Sequence, residues 1–186
     1  MRGNKGQTYE DWIGSASWKD GQGAEKLFGD LVRGKYPEIR QATLQEQYKH
    51  IDWVCSAGTI DVKAIKRKSR GGEKSTDFIW VEFKNNAGDK GWLYGEQDFI
   101  AFELDDSFVV VRRIALCELC EQLCQINKKV AKASEALYKG YTRRNRSDLI
   151  SIIRTDDLFR INHSIIQKTC LTFTNTIQVN PNSSAI

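Results

Sequence analysis

Three charged residues crowd one short segment, "HIDWVCSAGTIDVKAIK" (residues 50–66): Asp52, Asp61 and Lys63. The segment reads as a β-hairpin, two β-rich runs broken at Ser56-Ala57-Gly58. With an even-length loop around Ala57-Gly58, Cys55 faces Ile60, Val54 faces Asp61 and Asp52 faces Lys63. Side chains alternate along a strand, so Asp52, Asp61 and Lys63 then share one face. The two aspartates become diagonal neighbours at about 7 to 8 Å between backbone positions, near enough to converge on one cation. Two carboxylates held together repel unless positive charge lies between them. Hard oxygen ligands without histidine suit Mg²⁺ or Mn²⁺, not zinc. Lys63 can orient or help deprotonate a metal-bound water, or neutralise charge developing on a phosphate oxygen. Such a set performs in-line hydrolysis of a phosphodiester. The plainer reading is a surface hairpin in which Asp52 and Lys63 form an ion pair worth only about 0.2–1 kcal/mol.

A second constellation competes with the first. In "WVEFKN", Glu82 and Lys84 also share a strand face, and with Asp61 as the leading acid they form the set Asp61, Glu82 and Lys84. The plainer account is a strand that buries its aromatic and β-branched residues and turns both charges to solvent.

The elements that must position these groups follow from pattern. Residues 1–22 are rich in Gly, Ser and Lys, with Tyr9, Trp12 and Trp18 scattered among them, and read as an arm. "AEKLFGDLVRG" predicts an amphipathic helix over 24–34 with Leu27, Leu31 and Val32 on its apolar stripe. "DFIWVEFKN" (77–85) has the composition of a buried central strand, and "DFIAFELDDSFVVVRR" predicts two strands joined at Asp105-Asp106. A helix is expected from Ile114 to about Lys132, and a second, shorter one within "RSDLISIIRTDDLFRI". The order predicts an α/β (α+β) domain: one principal mixed, mainly antiparallel sheet flanked by helices, with a helical C-terminal extension. We expect one domain over 23–174, its core at about 23–135, and a flexible tail over 175–186.

The chain has 186 residues, 40% of them hydrophobic and 28% charged, with two prolines. This is the composition of a globular protein and not of a disordered one. No apolar run approaches the roughly 18 residues of a membrane span, and the first twenty residues lack the apolar core of a signal peptide, which points to a cytoplasmic location. Five cysteines in such a chain argue for reduced thiols. Cys117, Cys120 and Cys124 follow one helical face and read as buried apolar positions; a zinc site would need a fourth ligand, such as His163 or Cys170, that nothing in the sequence specifies. The net charge is +4, with basic residues in two clusters: Lys66, Arg67, Lys68, Arg70 and Lys74, and Arg143, Arg144 and Arg146 with Arg154. Beside an acidic site, both suit contacts to DNA phosphates.

The segments "EQYKHIDWV…GTIDVKA" and "FIWVEFKN…G…GWLYG…DFIAFE" resemble a phage and bacterial branch of the PD-(D/E)XK nuclease superfamily, over about residues 23–113. The resemblance implies a restriction-endonuclease-like core and a Mg²⁺- or Mn²⁺-dependent endodeoxyribonuclease, phage or mobile-element associated. It implies Asp52 and Asp61 as metal ligands, Lys63 as the catalytic lysine and Glu82 as a neighbouring acid. It adds Glu25 on the first helix as a further acid, with Gln47 in support. The second acidic-x-Lys triplet leaves open whether Asp61 or Glu82 is the triplet acid, and no long helix separates "VEFKN" from "DFIAF". A nuclease cutting both strands would act as a homodimer. The alternative from another class is a non-catalytic nucleic-acid-binding or accessory protein that keeps the fold.

Overall fold

The computed structural model describes residues 16–68 and 72–168. Helix α1 spans Ala16–Val32. It begins well before the predicted start, so residues 16–22 belong to a helix and not to an arm. Gly21 and Gly23 cost helix propensity, but packing outweighs them. Ala24, Phe28 and Val32, at i, i+4 and i+8, are the buried stripe, while Leu27 faces solvent. Phe28 is fully buried and meets Phe108 edge-on at 5.3 Å, a burial worth about 1.5–3 kcal/mol.

Strand β1 (Arg40–Gln41) leads to the single turn α2 (Leu44–Gln47), which starts at a capping box. The Thr43 hydroxyl accepts from Glu46 N–H, and the Glu46 carboxylate accepts from Thr43 N–H. Strands β2 (Trp53–Cys55) and β3 (Gly58–Lys63) form the hairpin in a register two residues away from the expected one: Trp53 faces Ile60, Val54 faces Thr59 and Cys55 faces Gly58. The loop is therefore Ser56-Ala57. Glu38 ties it down by accepting from the Ser56 N–H at 2.9 Å and hydroxyl at 2.6 Å, and Gly58 supplies a φ of 135°. A shift of two preserves side-chain parity. Asp52, Asp61 and Lys63 still share a face, and Asp52 now lies level with Asp61 instead of diagonal to it.

Next come the short ribbon β4 (Lys66–Arg67) and β5 (Lys74–Ser75), then β6 (Phe78–Lys84), a 3-10 turn at Trp92–Tyr94, β7 (Phe99–Glu103) and β8 (Ser107–Arg112). As expected, β7 and β8 turn at Asp105-Asp106. Helix α3 covers only Arg113–Leu123. The following "QINKKV" is strand β9 (Gln125–Val130), paired in parallel with β10 (Lys139–Tyr141), so the expected helix to Lys132 is cut short by sheet pairing. The second expected helix is β11 (Leu149–Arg154) followed by a 3-10 segment at Thr155–Arg160. Its run Ile150, Ser151, Ile152 and Ile153 is buried on both faces, a pattern that periodicity cannot separate from a helix. Strand β12 (His163–Gln167) completes the described chain, and the helical C-terminal extension is thus built of strands.

The fold is α+β. One mixed sheet has the order β1-β2-β3-β7-β8-β12 and a second has β6-β11-β10-β9, so β6 is an edge strand of the second sheet and not the centre of the first. The larger sheet packs one face, through Trp53, Ile60, Val62 and Phe108, on α1. Its other face, with Ile100, Phe102, Val109 and Val111, meets Ile79, Val81, Phe83 and Ile153 of the second sheet and Leu116, Leu119 and Cys120 of α3. Cys120 and Cys124 are buried and Cys117 is half-buried, as core positions; Cys170 lies outside the described residues. Among the described residues no helix is long and apolar enough to cross a membrane.

Gly29 lies flat against the Trp53 indole, whose Nε1 donates to Glu25 O at 3.0 Å, and a β-carbon there would overlap the ring. Helix propensity alone favours Gly29→Ala by about 1 kcal/mol. The pinned indole makes overpacking win, and we expect a net loss of about 1–3 kcal/mol in urea unfolding. A stabilised Gly29→Ala variant would refute this packing.

Candidate active site

Alternation along β3 sends Ile60 and Val62 to α1 and turns Asp61 and Lys63 the other way. Asp61 is 2% exposed and its Oδ1 pairs with Lys63 Nζ at 2.5 Å. The lysine ammonium also lies 5.2 Å from the centre of the Trp92 ring. Asp52, at the entrance to β2, accepts the Val62 N–H on Oδ2 at 2.7 Å, so its side chain replaces a ladder bond and is fixed beside β3. The Asp52 and Asp61 carboxyls act on each other's charge. Glu82 arrives from β6 and acts on Lys63. Glu25, on α1, acts on Asp52 and Lys63 and accepts from Gln22 Nε2 at 3.0 Å.

Burial, then the negative charge of Asp61, pushes Asp52 up to about 7. Burial, then Asp52, likewise pushes Glu25 up to about 7. Burial also raises Asp61 and Glu82, although Lys63 opposes it in both. Burial would by itself lower Lys63, but Asp61 and Asp52 outweigh it and the pKa is raised, so Lys63 stays a cation.

The structure thus brings together Glu25, Asp52, Asp61, Lys63 and Glu82. It leaves Lys84 out: that side chain is exposed, and its backbone bridges to Lys90. Glu82 therefore neighbours Lys63 from another sheet without its own triplet lysine. Gln47 donates to Ala42 O at 3.3 Å and does not reach the acidic cluster.

The basic residues divide. Lys66, Arg67 and Lys74 lie on the β4–β5 ribbon, Lys74 pairing with Asp20 at 2.9 Å, while Lys68 lies 6.0 Å from the Phe78 ring centre. Arg70 lies outside the described residues. Arg143 is clamped by the buried Asp148 carboxylate and donates to Asn86 Oδ1 at 2.8 Å, where Arg146 also donates at 3.0 Å. This places Arg143 among the charges acting on Glu82. Arg144 and Arg154 are exposed.

Sequence reasoning missed Gln97, His50 and Asp148. Gln97 is 1% exposed; its Nε2 donates to Trp92 O at 2.8 Å and approaches Asp61 Oδ2 at 3.5 Å, while its Oε1 has no hydrogen-bond partner among the described residues. His50 has a φ of 63°, and burial, then Lys63, pushes its pKa down to about 4, so it is neutral near pH 7. His50 lies inside the quoted segment but carries no charge signal of its own, and only the return of the chain past β3 brings Gln97 to Asp61.

Among the described residues no group of three or more His, Cys, Asp or Glu side chains is placed so that it could hold a metal ion. The donors at the cluster are nonetheless all carboxylate oxygens, crowded and desolvated, the chemistry that fits a hard divalent cation.

Asp52 and Glu25 keep their protons to higher pH when folded than when unfolded. The folded state then binds more protons between about pH 4 and pH 7, and stability falls as pH rises through that window. Asp52→Asn, which keeps an acceptor for Val62 N–H, should be more stable than the parent at pH 8 by on the order of 2 kcal/mol and equal to it at pH 4. Thermal melts at both pH values decide; the same difference at each would contradict the crowded-carboxylate picture. No family model, curated protein or solved structure matches this chain, so any functional reading rests on its own residues and geometry.

Proposed function

We propose that this protein is a metal-dependent endodeoxyribonuclease of the PD-(D/E)XK kind, with a restriction-endonuclease-like site and a phage or mobile-element role, acting as a homodimer where both strands are cut. The observation that carries this reading is the convergence of four acidic side chains from α1, the β2 entrance, β3 and β6 around one half-buried lysine. Surface ion pairs of little consequence do not require such desolvation.

In this reading Asp52 and Asp61 would hold Mg²⁺ or Mn²⁺, with Glu25 and Glu82 beside them. The cation, when bound, activates water and draws off charge from the phosphoryl oxygens. Lys63, kept protonated by Asp61 and Asp52, donates from Nζ to a non-bridging phosphate oxygen and stabilises the charge that builds there. Water attacks phosphorus as the bond to the leaving oxygen breaks, and that oxygen leaves as an alcohol with a proton taken from solvent. Glu25, with a pKa of about 7, can take the water's proton on its carboxylate at neutral pH. Gln97 and the Val62 N–H hold Asp61 and Asp52 in place. The β4–β5 ribbon and the Arg143–Arg146 loop supply phosphate contacts, which position DNA without reading its sequence.

One observation favours the second reading, a binding module without hydrolysis: Asp61 is already paired with Lys63, and among the described residues no group of three acidic, His or Cys side chains could hold a cation. A panel of supercoiled, linear, branched and single-stranded DNA with Mg²⁺ or Mn²⁺ separates the two. We expect cleavage of at least one substrate, lost by about 10²–10³-fold in Asp61→Ala and in Lys63→Ala, and kept within about twofold in Lys84→Ala because that side chain is outside the cluster. If every substrate stays intact, the binding module is the better description.

A further inference from the structure

A strand at the edge of a sheet leaves backbone donors and acceptors unpaired, and folded proteins blunt such edges with charge, proline, bulges or brevity. The two larger sheets have four edges, and three of them are blunted. β1 is two residues long and carries Arg40, which pairs with Glu46. β9 carries the exposed Lys128 and Lys129. The chain folds back on β6 through the bridge between Lys84 and Lys90. The fourth edge, β12, has none of these devices. Its five residues, His163 to Gln167, include no lysine, arginine, acid or proline, and its register with β8 runs without a bulge. No described strand lies beyond it. Ile165 in its middle is 51% exposed, and the 43% exposed Phe159 stands edge-on to the His163 ring at 5.0 Å.

The free side of β12 has a definite hydrogen-bonding pattern. Just past the strand, Lys168 N–H donates to Asp106 O at 2.8 Å, the residue level with it in the β8 register. Antiparallel pairs alternate between bonded and non-bonded, so Ile166 and Ser164 also bond to β8. His163, Ile165 and Gln167 therefore turn their N–H and C=O groups outward. An antiparallel copy centred on Ile165 meets that pattern without a mismatch. Ile165 faces the partner's Ile165, His163 faces the partner's Gln167, and Gln167 faces the partner's His163, so every outward group of the three finds its counterpart. A foreign strand would have to supply such a match; a second copy of this chain carries it by symmetry, as an isologous contact does.

We infer that β12 is a dimer interface: the β12 strands of two copies of this chain pair antiparallel about Ile165 and join their larger sheets edge to edge. The inference deepens the homodimer of the proposed function by naming its surface, and it rests on that reading only for why two sites are brought together. Association is read on the full chain without DNA, by sedimentation velocity at micromolar concentration, where we expect a species of twice the chain's mass. Ile165→Lys sets two like charges opposite each other on the symmetry axis and should weaken the dimer by about tenfold or more. Leu44→Lys, at another exposed apolar residue, on α2, should leave it unchanged. The register has its own test. Ile165→Cys puts two thiols on Cα atoms about 5.5 Å apart, within disulfide reach. Mild oxidation should then give a covalent dimer whose bridge maps by mass spectrometry to position 165 of both chains, whereas Gln167→Cys, opposite the partner's His163, should give none. If Ile165→Lys does not fold, the two cysteine variants decide. A monomeric parent overturns the inference, and slow amide exchange at Ile165 and Gln167 in that monomer would assign the edge to residues 169–186 of the same chain. A dimer that survives a folded Ile165→Lys, or a bridge in Gln167→Cys and none in Ile165→Cys, overturns it as well. A β12 dimer that cleaves no DNA would remove the nuclease and keep the interface; cleavage by a monomer would do the reverse.

Discussion

The pair between Asp61 and Lys63 on β3 is the constraint around which the surrounding structure is arranged. It is almost closed to solvent, Asp61 at 3% and Lys63 at 24% side-chain exposure. Ionic pairs so placed gain little net stability, because desolvation offsets the attraction, and well-packed apolar side chains commonly do as well. Here the cost is compounded, since Asp52, Glu25 and Glu82 face the same lysine and burial pushes every one of these carboxyls upward. Hydrogen bonds offset part of it: Val62 N–H to Asp52, and the Gln97 amide near Asp61. A polar chamber of this kind, strained electrostatically and braced by amide donors, is where perturbed groups do chemistry more often than they hold a fold together.

The chamber exists because β3 has two different neighbours. Toward α1 it presents Ile60 and Val62, which join Phe28 and Trp53 in one apolar layer. Toward the second sheet it presents the ion pair. Strand β7 lies parallel to β3, and the chain between them must cross over. A helix usually makes that crossing. In this chain residues 64–98 make it with the β4–β5 ribbon, β6 and the 3-10 turn, so the connection itself delivers Glu82, Trp92 and Gln97 to the open side of β3. The same crossing forms a small aromatic-lined recess beside Lys63. Its apolar residues Ile79, Val81 and Phe83 anchor β6 to the core, which leaves the opposite face of that strand free to carry Trp80 and Glu82.

What was legible in the residues themselves depended on short range. Parity along a strand put Asp52, Asp61 and Lys63 on one face, and it survived a register error of two because the side-chain period is two. The β7–β8 turn at Asp105-Asp106 and the core character of Cys120 and Cys124 were legible for the same local reasons. The helices were less so. The glycines at 21 and 23 concealed the first two turns of α1, and "QINKKV" and "LISIIR" became strands because partners were available across the second sheet. An apolar run such as "LISIIR" carries no periodic signal that distinguishes helix from buried strand, and "QINKKV" is mostly polar and exposed, so only its pairing with β10 makes it a strand.

By itself, then, the sequence determined which side chains β3 shows to each side and which charges stand within two residues of one another, because backbone geometry settles such relations locally. Only the tertiary structure decided that Glu82 meets Lys63 while Lys84 does not, that Glu25 reaches Asp52 from α1, and that Gln97 lies against Asp61. Those meetings span 27 to 36 residues of chain between Asp52 and Glu25 and between Asp61 and Gln97. They arise from the packing of one sheet on another and of a helix on the first, and no spacing in the chain encodes the distance at which two such layers come to rest.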